Sequence, residues 1–183
     1  MSPKKLVFIA ITAVLLAAFL AGCTSPAERT VKAGDNVTID YILTTTDGKV
    51  RDTSYEQVAK DAGLYSASRQ YKPFAFEVGS GSVIEGFDEA VMGMKAGETK
   101  NVTISPDKAY GAYSQSLITK ENLSELIAAN ITPEVNGTVF SMAYMRNGRI
   151  DAIDEANNTI YIDFNHPLAG QTLLFQITVR TIE

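Results

Sequence analysis

Residues 79–94 read GSGSVIEGFDEAVMGM, and this stretch decides the fold. Glycines at 79, 81, 86 and 93 bracket a short apolar segment. Within it Val83, Ile84, Phe87, Ala90, Val91 and Met94 recur at spacings of three and four, the period of a helix with one buried face. Gly93 and Gly97 are stop signals, because glycine readily takes the left-handed conformation that ends a helix. The spacing predicts a short helix leaning on a sheet, with Val83 and Ile84 at its entry. A plain core helix has the same spacing, so the pattern alone names no activity.

The flanks read as strands. Val37, Ile39 and Tyr41 alternate with Thr38, Asp40 and Ile42. Asp47-Gly48 is a hairpin turn signal, and the chain returns over Val50 to Ser54. Phe74, Phe76 and Val78 alternate with Ala75 and Glu77, a strand with one aromatic face. Thr99–Ile104 is another strand, ended by Pro106, which cannot donate to a central ladder. Tyr55, Val58, Ala59 and Ala62 predict a short helix ending at Gly63, followed by a polar surface loop to Tyr71. Tyr110 lies in the turn Ala109-Tyr110-Gly111; a tyrosine so placed is usually a half-buried anchor.

Between that turn and the last strand lies a long segment, 114–163. A helix is expected to start at Thr119 and run through Leu123, Leu126 and Ile127. Val139–Met145 reads as a strand, Asn147-Gly148 as a type I′ hairpin turn, and Arg149–Ile153 as its return. Asn157-Asn158 turns the chain into Thr159–Phe164. Met142, Tyr144 and Met145 suit either adaptable apolar contact or the segment's own small core.

The central run resembles the helix region of FKBP-type peptidyl-prolyl isomerases, roughly G-x-x-x-V-I-x-G-(W/F)-(D/E)-x-A. Further matches follow in family order: Tyr41 in TIDYILTTTDG, Asp52 in DGKVRDTS, Phe74 in KPFAFEVG, Tyr110 in SPDKAYGAY and Phe175 in LAGQTLLFQITV. The return Asn165-His166-Pro167-Leu168-Ala169-Gly170-Gln171 is similar to that of SlyD-type members, which carry an inserted domain in the flap. The resemblance implies an α+β fold: an antiparallel sheet wrapped on a short helix over 31–113 and 164–183, with a small β-rich chaperone-like domain, 114–163, inserted in the flap. It implies prolyl cis-trans isomerisation without a cofactor. Tyr41, Phe74, Val83, Phe87 and Phe175 would form the proline pocket, and the Ile84 amide and Tyr110 hydroxyl would hold substrate carbonyls. Asp52 would lie by the carbonyl that rotates. In SlyD-type members the insert binds unfolded segments. Two departures stand out. Phe87 replaces the Trp of many members, and Arg51 stands where many carry an apolar pocket residue, which would weaken one wall or charge the rim. Both departures favour the alternative of a non-catalytic holdase.

Lys4-Lys5, the apolar run Leu6–Ala21 and Gly22 before Cys23 read as an export signal over 1–22. Leu20-Ala21-Gly22-Cys23 resembles a lipobox, which would make Cys23 the lipidated first residue of a tether, 23–30. An uncleaved membrane helix is the alternative, although the run is barely long enough to span a bilayer. Either way the body is expected on the extracytoplasmic face of a membrane. A peptide-binding or solute-binding surface lipoprotein has no support beyond that leader. Cys23 is the one cysteine, so no internal disulfide staples the body, and core burial must stabilise it. Loss of Lys4 and Lys5 with the leader takes the net charge from −5 to −7. So acidic a body argues against nucleic acid partners. The expected partners are unfolded or proline-containing polypeptides, met by a monomer.

His166 is the one histidine, and no serine motif lies near it, which disfavours a zinc site or a histidine-dependent nucleophile. GSGSVIEG lacks the lysine and spacing of a phosphate-binding loop. Asn-x-Ser/Thr triplets begin at Asn36, Asn101, Asn122, Asn130, Asn136 and Asn157, more than chance provides. Glycosylation of some is expected on an exported chain, and the intact mass of natively purified protein checks it.

Overall fold

The computed structural model describes residues 29–142 and 144–183. The leader and Cys23 lie outside the described residues. The strands are β1 (Asn36–Thr45), β2 (Val50–Thr53), β3 (Phe74–Glu77), β4 (Thr99–Ile104), β5 (Ile118–Asn122), β6 (Thr138–Ser141), β7 (Arg146–Asp154), β8 (Thr159–Asp163) and β9 (Leu173–Ile182). The helices are α1 (Glu56–Asp61), α2 (Glu85–Val91) and α3 (Leu123–Ala128).

The first sheet runs β2-β1-β9-β4, with β3 also on β1, and every pairing is antiparallel. The two halves of one edge of β1 take different partners. Asn36–Ile39 pair with β3, whereas Ile42–Thr44 pair with β2. Ser54 bridges the interruption at Tyr41: its N–H donates to the Tyr41 carbonyl, and its Oγ accepts from the Tyr41 N–H. α1 and the loop 62–73 cross over this gap.

The predicted alternation is what builds the core. Val37, Ile39 and Leu43 from β1 face Leu173, Phe175, Ile177 and Val179 from β9 on one buried side. α2 lays Phe87, Ala90 and Val91 on that side, and Met94 joins them from the segment after the helix. Gly93 and Gly97 after it have φ of +77° and +83°, the left-handed region expected of stop signals. Gly86 lets the helix approach β4 closely, since a Cβ there would lie 2.4 Å from Ile104 Cγ2. Gly86→Ala is therefore expected to cost about 1–3 kcal/mol through overpacking, read as a lower denaturation midpoint at unchanged slope. On the opposite face Asp40 is buried, but Arg180 Nε (2.5 Å) and Ser54 Oγ (2.7 Å) answer its carboxylate.

The second sheet, β5-β8-β7-β6, lies in sequence between β4 and β9. Val139, Ile150, Ile160, Ile162 and Phe164 form its own core, which shares no residue with the first. Three details differ from the sequence expectation. The strand expected over Val139–Met145 ends at Ser141, and Met145 lies in the turn with φ of 50°. Ile118–Asn122 is a strand paired with β8, and the helix begins only at Leu123. Asn122 Oδ1 accepts from the Ser124 N–H, so the residue expected inside the helix is its N-cap. Asn147-Gly148 is not the hairpin turn. Those residues lie within β7 opposite Phe140 and Val139, and the chain reverses between the paired Ser141 and Arg146. Gly148 answers a packing demand instead: a Cβ would lie 2.4 Å from Ile162 Cγ2 and 2.6 Å from Phe164 Cε1.

All six triplet asparagines are exposed. Asn130 and Asn136 sit in turns with φ of 58° and 69°.

Candidate active site

Four aromatic rings make the floor and walls of one hollow. Phe87, from the first turn of α2, lies 4.9 Å from Phe175 of β9 and 6.3 Å from Tyr41 of β1 between ring centroids. Tyr41 stands 6.5 Å from Phe74 of β3, edge to face. Val83 and Ile84 close the side at the entry to α2, and Ile84 is its extended N-cap residue (φ −63°, ψ 145°). The cavity measures about 510 Å³. Asp52 and Tyr110 complete its rim, so every residue singled out for this pocket by sequence lines the same hollow.

The polar rim is wired from several elements. Tyr41 Oη donates to Asp52 Oδ2 (2.7 Å). Strand pairing sets Asp52 opposite Leu43, which also lines the hollow. Arg51, one residue earlier, points the other way, as alternation requires. Its guanidinium binds Thr45 Oγ1 (2.8 Å) and Asp47 Oδ2 (2.8 Å) in the β1–β2 turn. Arg51 is absent from the lining of the hollow, so the charge expected from it at the rim is not there. Tyr110 is held by its loop and by the return segment. The Gly111 N–H donates to the Pro106 carbonyl (2.7 Å), and the Gly170 N–H to the Gly111 carbonyl (2.8 Å). The imidazole of His166 stacks on the Tyr110 ring at 3.6 Å and 10°.

Arg69 is the rim residue that sequence reading missed. It comes from the loop after α1, donating from Nη1 to Asp52 Oδ1 (2.5 Å) and from Nη2 to Tyr41 Oη (3.2 Å) and the Thr53 carbonyl (3.1 Å). The only sequence signal was a lone arginine in a polar loop, which is ordinarily a solvated side chain.

The sequence profile of the FKBP-type peptidyl-prolyl cis-trans isomerases matches residues 27–180. The chain belongs to that family. This FKBP-type isomerase is 44% identical over 154 residues to the short-type peptidyl-prolyl cis-trans isomerase of Methanocaldococcus jannaschii, a span of 84% of this chain and 94% of the relative. It is 35% identical over 113 residues to the FKBP-type 16 kDa isomerase of Escherichia coli, covering 61% and 75% of the two chains. With the Helicobacter pylori isomerase SlyD the identity is 32% over 110 residues, covering 59% and 58%.

Both phenols of the isomerase's cup titrate high. Burial, then the hydrogen bond to Asp52, pushes Tyr41 well above its ordinary value. Burial, then the Asp52 charge, raises Tyr110. Each hydroxyl keeps its proton well past neutrality. Turnover of a neutral X-Pro peptide is expected to stay flat from about pH 7 to pH 9. A fall across that range would show one phenol ionising. Among the described residues no group of three or more His, Cys, Asp or Glu gathers as a metal site.

Proposed function

We propose that this isomerase acts as a monomer on the extracytoplasmic face of a cell membrane, tethered by lipid at Cys23. There it assists exported polypeptides that its second sheet captures. One observation carries the capture reading. Phe140 (50% exposed), Met142 (74%), Tyr144 (48%) and Met145 (70%) crowd the β6–β7 hairpin. β6 is an edge strand, with its outer backbone groups open to another chain. Apolar side chains beside an open edge suit an extended, unfolded segment, which can add a strand and seat alternate side chains.

In the cup, the proline ring sits on Phe87, between Tyr41, Phe74 and Phe175, with Val83 at the side. The Ile84 N–H and Tyr110 hydroxyl hold the peptide carbonyls, and Asp52 lies beside the carbonyl that rotates. The barrier is amide resonance, about 18–20 kcal/mol. Twisting the bond removes conjugation, leaving a less polar carbonyl. An apolar wall excludes the water that favours the planar, charge-separated form, and so lowers the barrier. Uncatalysed isomerisation takes tens of seconds, slow enough to limit folding.

A protease-coupled cis-to-trans assay on a short X-Pro peptide tests the catalytic roles. Wild type should accelerate the slow phase, and Tyr110→Phe should lower kcat/KM several-fold, the cost of about one hydrogen bond. Suppressed aggregation of an unfolded protein with no acceleration would leave only a holdase.

A further inference from the structure

The loop 64–73 does more than cover the gap between β2 and β3. Beside the aromatic cup lies a second hollow of about 530 Å³, which shares Tyr41 and Phe74 with the first. Its other side is lined by Arg69, Gln70 and Lys72 from this loop. A peptide with its proline in the cup has to leave over the rim, and the two hollows adjoin at Tyr41 and Phe74.

The charge there is positive, on a chain whose net charge is −5. Lys72 is exposed and has no hydrogen-bond or ion-pair partner among the described residues. Arg69 balances Asp52 and still has N–H groups to spare, since its contacts are to Asp52, Tyr41 and the Thr53 carbonyl. Ser54, also in the lining, is neutral, and the buried Asp40 to which it donates is balanced by Arg180. The lining contains no carboxylate.

We propose that this second hollow is a specificity subsite for an acidic side chain flanking the substrate's proline, with Lys72 as the selecting cation and Arg69 as a second donor. The subsite rests on the cup being the proline site, which turnover of a neutral peptide measures separately.

The test compares kcat/KM for matched X-Pro peptides carrying Glu or Gln, first one position before the proline and then one position after it. At low salt the wild type should favour Glu over Gln about threefold on one flank, the size of an exposed ion pair. The ratio should approach one at about 1 M salt, where the Debye length is about 3 Å. Lys72→Gln should shrink it, and Lys72→Glu should invert it. A wild-type ratio of one on both flanks overturns the proposal. So does a preference that persists unchanged in Lys72→Glu.

Discussion

Phe175→Ala should be the most damaging single change in the cup. Phe175 is 7% exposed, pairs with Leu43 on one side and Val102 on the other, and holds its ring 4.9 Å from Phe87. Truncation removes the back wall and opens a cavity between β9 and α2. The expected loss is about 3–5 kcal/mol of stability, read by chemical denaturation. Turnover of a short X-Pro peptide should fall about tenfold or more, a barrier change of about 1.4 kcal/mol. Because this variant loses stability as well as shape, Phe175→Leu is its partner. Leu fills much of the space, so the residual cavity and the stability loss should be smaller than for Ala. The flat aromatic wall is still gone, so turnover should remain depressed while the fold stands. Full activity in Phe175→Leu would show that an aromatic ring is not required there.

The second large effect is expected from excising residues 114–163. The Ser114 N–H donates to Asn165 Oδ1 (2.8 Å) and Asn165 Nδ2 returns a bond to the Ser114 carbonyl (2.9 Å). The two ends of the segment are therefore side by side, and a short linker can rejoin them. No residue of the first core comes from 114–163. Turnover of a tetrapeptide should stay within about twofold of wild type, whereas catalysis of a proline-limited refolding reaction should fall by about tenfold to a hundredfold. The reason is effective concentration: a captured chain presents its prolines to the cup repeatedly, as an intramolecular event. Equal losses on both substrates would contradict a division of labour between the sheets.

Periodicity located most of the elements correctly because they bury one face. The alternation in β1 and β3 and the three-and-four spacing in α2 follow from the same core, so local pattern and tertiary packing agree. Local pattern is less informative over the segment 114–163. Asn147-Gly148 has the composition of a tight turn, yet Gly148 is glycine because Ile162 and Phe164 leave no room for a side chain. Composition does not distinguish these two demands on glycine. Local pattern predicts a helix from Thr119, whereas pairing with β8 holds Ile118–Asn122 extended. Such pairing depends on a partner far along the chain, which propensity cannot register.

The same division applies to the site. The chemical character of the cup was determined by sequence alone. Aromatic and branched side chains recur in strand and helix phase, and phase decides which of them share a face. The charged rim was decided only in three dimensions. Arg51 and Asp52 are neighbours in sequence, but the pleat sends one to the β1–β2 turn and the other to the cup. Arg69, seventeen positions beyond Asp52, returns to grip it because β2 and β3 leave a gap at Tyr41 for the loop to cross. Apolar burial repeats along a chain and can be read from it, whereas the pairing of charges depends on where loops land.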